Sequence, residues 1–208
     1  MTMPLSLSRK IKRFAVLLVL AAFILLPLGQ SIAISFVATK SHPETIVGSL
    51  SLINYWNIFN SPTLVASISN SLIYVLLNVV LCLIVGLPAA YAFSRFRFIG
   101  DRHILLILLT FRLTPPVTLS LPIFLLFAEF NLVNSPIGIA LVHCLFNIPI
   151  SIWILENFIS EVPREFDELA FIDGYSLPRF FLTHLVPAIA PGIAVAAFFC
   201  FIFSWVEV

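Results

Sequence analysis

The sequence predicts an all-α fold, a polytopic transmembrane helical bundle of about five spans, and three observations predict it. The 208 residues are 61% hydrophobic, with mean hydropathy +1.11, and only 10% charged, where a soluble domain carries roughly a quarter charged residues. Five apolar runs, approximately 14–36, 72–93, 104–127, 137–159 and 191–208, have the length that about 1.5 Å per helical residue needs to cross a hydrocarbon core of roughly 30 Å. Nine of the eleven Lys and Arg residues fall in the amino-terminal tail and the segments 94–103 and 160–190, which the positive-inside rule places in the cytoplasm together with the amino terminus. Lys40 falls outside and Arg112 lies within a span. The chain is read as a single domain over 1–208.

Other classes are excluded by what the sequence lacks. There is no long basic run to bind nucleic acid. Cys82, Cys144 and Cys200 are far apart, lie in apolar segments and have no metal-ligand spacing, so they are read as small packing residues. No GxxxxGK[ST] phosphate loop occurs, so ATP is not hydrolysed here by that route. A membrane-embedded enzyme would need converging acid, base or metal groups, and the spans offer only scattered ones. A channel or secondary transporter would be dominated by intramembrane carboxylates or broken, ion-coordinating helices.

In the first span, Arg9, Lys10, Lys12 and Arg13 precede an apolar run from Phe14 to Phe36. Ala33-Ile34-Ser35 could pass for a weak cleavage site, but the run is too long for a secretory signal and reads as a retained anchor. Residues 37–70 form the outer loop, where Tyr55 and Trp56 suit an interfacial position. The second span carries Asn78, with Gly86 and Ala89-Ala90 allowing close helix approach. It exits through Tyr91-Ala92-Phe93-Ser94-Arg95, followed by Arg97 and Arg102.

The third span holds Arg112, followed by Pro115-Pro116 and Pro122. A guanidinium at this depth needs a partner: it faces a translocation path, snorkels to the inner headgroups or pairs with a carboxylate on another subunit. The paired prolines argue for a broken helix, tolerated only where protein or water covers the backbone. After a turn over Glu129–Pro136, the fourth span places His143 and Asn147 on one face, as a path lining or, preferred here, as interhelical hydrogen bonding. The fifth opens at Pro191-Gly192 and ends in Phe203-Ser204-Trp205-Val206-Glu207.

Between the fourth and fifth spans runs the longest polar stretch, PREFDELAFIDGYSLPRFFLTHLVP, over 163–187. Pro163 with Glu165, Asp167 and Glu168 starts a short helix whose acids complement its positive end. Gly174 stops it in left-handed geometry, and Ser176 and Pro178 start a second helix. Phe166, Leu169, Ala170 and Ile172 are available for an apolar stripe, with Asp167 and Glu168 pointing elsewhere. An amphipathic connector lying on the membrane surface is the alternative reading.

This stretch resembles the cytoplasmic signature loop of ABC-importer permeases, in which Glu-Ala-Ala is followed after three residues by Gly and, nine residues on, by Ile-x-Leu-Pro. Glu168, Ala170, Gly174 and Pro187 fall at that spacing, and Asp173-Gly174 matches the form common in carbohydrate-type permeases. Leu169, His184 and Val186 depart from it. Weaker support comes from Asn54-Tyr55, Phe59 and Asn70-Ser71 before the second span, the Tyr91–Arg95 exit, Leu132 with Gly138, and Phe203-Ser204-Trp205-Val206-Glu207, which is similar to the family's FSWNEF with Val206 for asparagine. The resemblance implies a coupling helix that docks on a separate ATPase through Glu168, Leu169, Ala170, Asp173, Gly174 and Pro187. It implies a maltose-permease-like, binding-protein-dependent importer subunit of the prokaryotic plasma membrane, lacking the family's last helix. The cofactors ATP and Mg would sit on the ATPase subunits and none on this chain. The expected partners are those subunits, a second homologous permease, an extracytoplasmic solute-binding protein and membrane lipid, with no nucleic acid. Arg112, Asn147, Ser204 and Trp205 are the residues expected along the path. A sugar or sugar derivative is the expected solute, with a polyamine-type permease as the alternative.

Overall fold

A computed structural model of the chain describes residues 7–37 and 50–207. Lys40, assigned above to an outer loop, lies outside the described residues. The chain divides into two units, Met1–Ala66 and Ser67–Val208.

The first unit contains α1 (Leu7–Ser35), α2 (Ile53–Asn60) and the start of α3 (Pro62–Arg95). Asn54 ties α2 back to the end of α1, donating from Nδ2 to the carbonyls of Ser35 at 3.0 Å and Val37 at 2.8 Å. The Tyr55 hydroxyl meets the Ser35 hydroxyl at 2.7 Å, and Trp56 is exposed. Hydropathy alone leaves 37–70 as a loop. Yet α2 forms there, and Pro62 opens α3 about ten residues before the apolar run at Leu72, because a first-turn proline forfeits no helical hydrogen bond.

The second unit continues α3 and adds α4 (Asp101–Phe111), α5 (Pro116–Glu129), α6 (Pro136–Glu161), α7 (Arg164–Ile172) and α8 (Leu177–Phe180). A wide π-type turn (Phe181–Leu185), α9 (Val186–Ala188) and α10 (Ala190–Glu207) follow. Among the described residues, four helices are long and apolar enough to cross a membrane: Lys12–Ser35, Pro62–Arg95, Pro136–Glu161 and Ala190–Glu207. The expected span over 104–127 is instead two shorter helices, α4 and α5. Its break falls at Arg112–Pro115, because Pro116 opens α5 and Pro115 holds extended backbone at φ −58°, ψ 128°.

α6 is the axis of this unit. Twelve of its residues are buried, so it is packed on several sides, against α3, α4 and α10. Small residues let the backbones approach. A Cβ on Gly86 would collide with the Ser151 hydroxyl, and one on Gly192 would run into the Phe158 ring. Gly138 is similarly confined, by the Leu132 carbonyl that closes the α5–α6 turn. Cys82, Cys144 and Cys200, one each from α3, α6 and α10, are free thiols packed together in the core, as expected for small packing residues. Gly192→Ala is expected to cost about 1–3 kcal/mol through overpacking against Phe158. A thermal melt of the detergent-solubilised protein checks this, and an unchanged midpoint would show that the ring yields freely.

Candidate functional site

Two clusters stand out, one at the Arg95 end of α3 and one deep between the helices. At the first, Pro163 is the N-cap of α7, and Glu165 and Asp167 sit in its first turn. Gly174 follows the helix at φ +82°. Its N–H donates to the Phe171 carbonyl at 3.1 Å and that of Tyr175 to the Ala170 carbonyl at 3.0 Å. This is the paired closure of a Schellman motif, which needs left-handed backbone at the glycine position. Leu177–Phe180 then starts the second helix, which widens into the π-type turn before Pro187. The helix, Gly turn and helix read from the sequence are all present.

Of the residues available for an apolar stripe, Ala170 is buried while Leu169 and Ile172 are 62% and 80% exposed, and Asp167, read as pointing away from that stripe, is buried with Ala170. The reason is a partner far off in sequence. Arg95 donates from Nε to Asp167 Oδ2 at 2.7 Å and from Nη2 to Oδ1 at 3.2 Å, with both side chains under a tenth exposed. The Tyr91 hydroxyl donates to the same Oδ2 at 3.0 Å, and Arg95 Nη2 also reaches the Val162 carbonyl at 3.0 Å. A two-pronged guanidinium–carboxylate pair with a third donor satisfies a carboxylate that could not otherwise be buried. Arg164 adds a donation to the Ser94 carbonyl at 3.1 Å, placing a cation on the last turn of α3.

Ala170 and Phe180 are buried beneath α7 with Ala90 and Tyr91. Glu168 and Asp173 are exposed alongside Leu169, Phe171 and Ile172, so the outer face of α7 is apolar with an acidic margin. Of the residues matched to the signature loop, Ala170 is a packing contact, Gly174 a backbone turn and Pro187 part of α9. Glu168, Leu169 and Asp173 present side chains outward.

The deeper cluster joins three of the four residues expected along a path. Arg112 follows α4 at the break and donates from Nη1 to the Phe146 carbonyl at 2.8 Å and to Asn147 Oδ1 at 3.0 Å. Its guanidinium carbon lies 4.0 Å from the centre of the Phe203 ring, a cation–π contact. Pro149 lacks an N–H, so within α6 it is the Leu145 carbonyl that loses its helical donor, one residue before the Phe146 carbonyl that Arg112 reaches. Asn147 Nδ2 donates to Asn78 Oδ1 at 3.1 Å and to Ser204 Oγ at 3.0 Å, and Ser204 donates to Asn78 Oδ1 at 2.8 Å. Asn78 completes the set by donating to the Ala140 carbonyl at 3.2 Å. The network therefore ties α3, α6, α10 and the α4–α5 break, in keeping with the interhelical role preferred for Asn147; His143 is buried one turn earlier on α6. Trp205 is not part of it: it is 44% exposed and stacked on Phe201, with centroids 5.8 Å apart. An apolar cleft of about 450 Å³ lies alongside, lined by residues such as Val117, Phe124, Phe127, Ile139 and Phe146.

Sequence reading missed Arg95 as a partner, taking it for a positive-inside marker, and missed Asn78 as the hub. Tyr91 and Arg95 are four apart, hence on one face of α3 and both able to hold an acid.

Fold and site together define a multi-pass helical membrane protein whose polar 163–187 segment is held firmly against the end of a spanning helix. A family model described as binding-protein-dependent transport system inner membrane component matches residues 82–208, and the chain belongs to that family. Among similar proteins, the trehalose transport system permease protein SugB of Mycobacterium tuberculosis is 29% identical over 175 residues, 84% of this chain and 64% of that protein. The diacetylchitobiose uptake system permease protein NgcG of Streptomyces coelicolor is 30% identical over 195 residues, 92% of this chain and 64% of that one. The sulfoquinovosyl glycerol transport system permease protein SmoH of Agrobacterium fabrum is 30% identical over 197 residues, covering 90% and 69%. The chain thus spans 64% of the length of the mycobacterial and streptomycete relatives. A solved bacterial ABC transporter involved in the import of the acidic polysaccharide alginate has a chain that superposes with a TM-score of 0.77 at 21% identity, covering 98% of this chain and 74% of its own. That likeness establishes the fold.

Proposed function

We propose that this chain is the membrane-spanning permease subunit of an ATP-binding-cassette importer that moves a sugar or sugar derivative delivered by an extracytoplasmic binding protein. ATP and Mg are bound and hydrolysed on separate ATPase subunits, and a second, homologous permease completes the enclosure. The amino terminus and the 163–187 segment lie in the cytoplasm of a prokaryotic cell, on the ATP side of the plasma membrane. The observation that carries this reading is the outer face of α7, where exposed Leu169, Phe171 and Ile172 stand beside exposed Glu168 and Asp173, while the inner face is locked to α3 by Arg95–Asp167. A helix seated so firmly, with its apolar face turned out, is built to be pushed by a partner.

The sugar assignment is supported by the relatives named for trehalose, diacetylchitobiose and sulfoquinovosyl glycerol. Arg112, Asn147 and Ser204 line the polar centre of the path, and Trp205 flanks it. Reconstitution of the complete complex in proteoliposomes, with labelled disaccharide outside and ATP supplied on the ATPase side, tests the reading. Uptake that requires ATP and the binding protein is expected. Uptake indifferent to ATP would point instead to a channel or secondary carrier, and ATP-driven uptake of a polyamine in place of the sugar would overturn the solute class alone.

A further inference from the structure

We propose that Arg95, Tyr91 and Asp167 form a rigid clasp that makes the end of α3 and the α7 helix one moving body. A push on α7 then reaches the bundle through α3 as well as through the chain connection to α6. The inference rests on the coupling role proposed above and goes beyond it by naming the residues that pass the motion on.

The chemistry of the clasp is unlike that of a surface ion pair. Both Asp167 oxygens are engaged by Arg95, Oδ2 also accepts from Tyr91, and the remaining reach of Arg95 is taken by the Val162 carbonyl in the α6–α7 connection. The two charged side chains are 7% and 8% exposed. Separating them in this water-poor seat would strand two charges at once, so the seat resists slipping in a way that an exposed pair would not. Around it, Arg164 holds the Ser94 carbonyl and the Ser94 and Ser160 hydroxyls meet at 2.8 Å, joining α3 to α7 and to the last turn of α6. The ring of Tyr91 also stands edge-on to Phe181 at 5.8 Å, so the second short helix is drawn into the same body.

Three elements of the segment thus bear on one end of one helix. The same helix carries Asn78, the hub of the buried polar cluster, so α3 links the two sites directly. Were the clasp only a folding staple, its loss would reduce the amount of assembled transporter without changing how well each assembled copy works.

The test uses the complete transporter in proteoliposomes and reads ATP hydrolysed per solute imported. Asp167→Asn and Arg95→Met are each expected to raise that ratio by roughly fivefold or more, the lower end of measured site-to-site coupling. The reversed pair, Arg95→Asp with Asp167→Arg, is expected to bring it back toward the unmutated value. Hydrolysis and uptake falling together with the amount of assembled complex, at an unchanged ratio, would overturn the proposal. A second measurement does not depend on breaking the pair. In Ser94→Cys/Ser160→Cys, oxidative cross-linking of the two ends is expected to leave uptake within roughly twofold of the reduced form, below the coupling range. The unmutated complex, whose thiols at Cys82, Cys144 and Cys200 are buried, serves as the oxidation control. Uptake abolished by the cross-link and restored by reductant would show that the end of α3 must part from the end of α6, which Arg95 held on the Val162 carbonyl in the α6–α7 connection does not allow, and the clasp would be refuted. Absence of ATP-dependent uptake in the unmutated complex is a different result, which removes the importer reading and the clasp with it.

Discussion

Gly174→Pro is expected to abolish ATP-driven uptake while leaving the spanning helices folded. Gly174 holds φ at +82°, and the proline ring confines φ to about −65°, so the Schellman closure cannot form. The substitution also removes the N–H that donates to the Phe171 carbonyl. No atom lies within 4 Å of a Cβ placed there, so backbone conformation and not crowding is what a side chain would violate. That separation gives an ordered series. Alanine in left-handed backbone costs about 1–2 kcal/mol, asparagine less, and proline roughly 3 kcal/mol or more. Uptake should fall in the order Gly, Asn, Ala, Pro, with the proline variant lower by on the order of tenfold or more, within the span of known coupling effects. Uptake assays paired with co-purification of the ATPase check the series. A proline variant that transports at the unmutated rate would reduce 163–187 to a connector.

The parts legible in the sequence are those fixed by local chemistry. Long apolar runs can only be spans or core, Pro115-Pro116 can only break a helix, and Gly174 between an acidic helix and Ser176-Leu177-Pro178 can only be a turn. What stayed hidden is phase. Hydrophobic periodicity separates Asp167 from a stripe of Phe166, Leu169, Ala170 and Ile172, whereas the structure buries Asp167 with Ala170 and leaves Leu169 and Ile172 exposed, because Arg95, 72 residues earlier, supplies a buried counter-charge. Ser204 and Trp205 are adjacent, hence about 100° apart around α10, so only one can face α6. The sequence offers no ground for choosing. In the structure Ser204 is buried on Asn147 and Asn78, and Trp205 faces out. The π-type turn at Phe181–Leu185 has no composition that marks it, and α2 is too short and mixed to rise above a loop.

Asn147→Leu should be the most damaging single change in the deep cluster. Leucine has a similar branching but a larger volume, so it crowds a buried seat, and it removes the acceptor for Arg112 Nη1 and both donations, to Asn78 Oδ1 and Ser204 Oγ. The losses are unequal. Asn78 Oδ1 keeps its bond from Ser204, and Asn78 Nδ2 keeps the Ala140 carbonyl. Arg112 keeps the Phe146 carbonyl and the face of Phe203. Interhelical polar bonds in membranes are worth less than their number implies, so the sum is about 1–3 kcal/mol and not a multiple of that. For a chain of this size it corresponds to a thermal shift of about 2–12 °C. Ser204→Ala removes only its own two bonds and leaves Asn147 to satisfy both Arg112 and Asn78, so its shift should be smaller. Trp205→Phe, at an exposed stacked position, should stay within about 0.5 kcal/mol. Melting the purified protein gives the order, and uptake kinetics on the same variants separate two roles for the cluster. A raised KM in Asn147→Leu at unchanged kcat would mean that freeing Arg112 alters the solute's seat, whereas a stability loss with unaltered kinetics would make the network interhelical glue alone. If Trp205→Phe proves the most costly of the three, the polar centre of the bundle has been placed on the wrong face of α10.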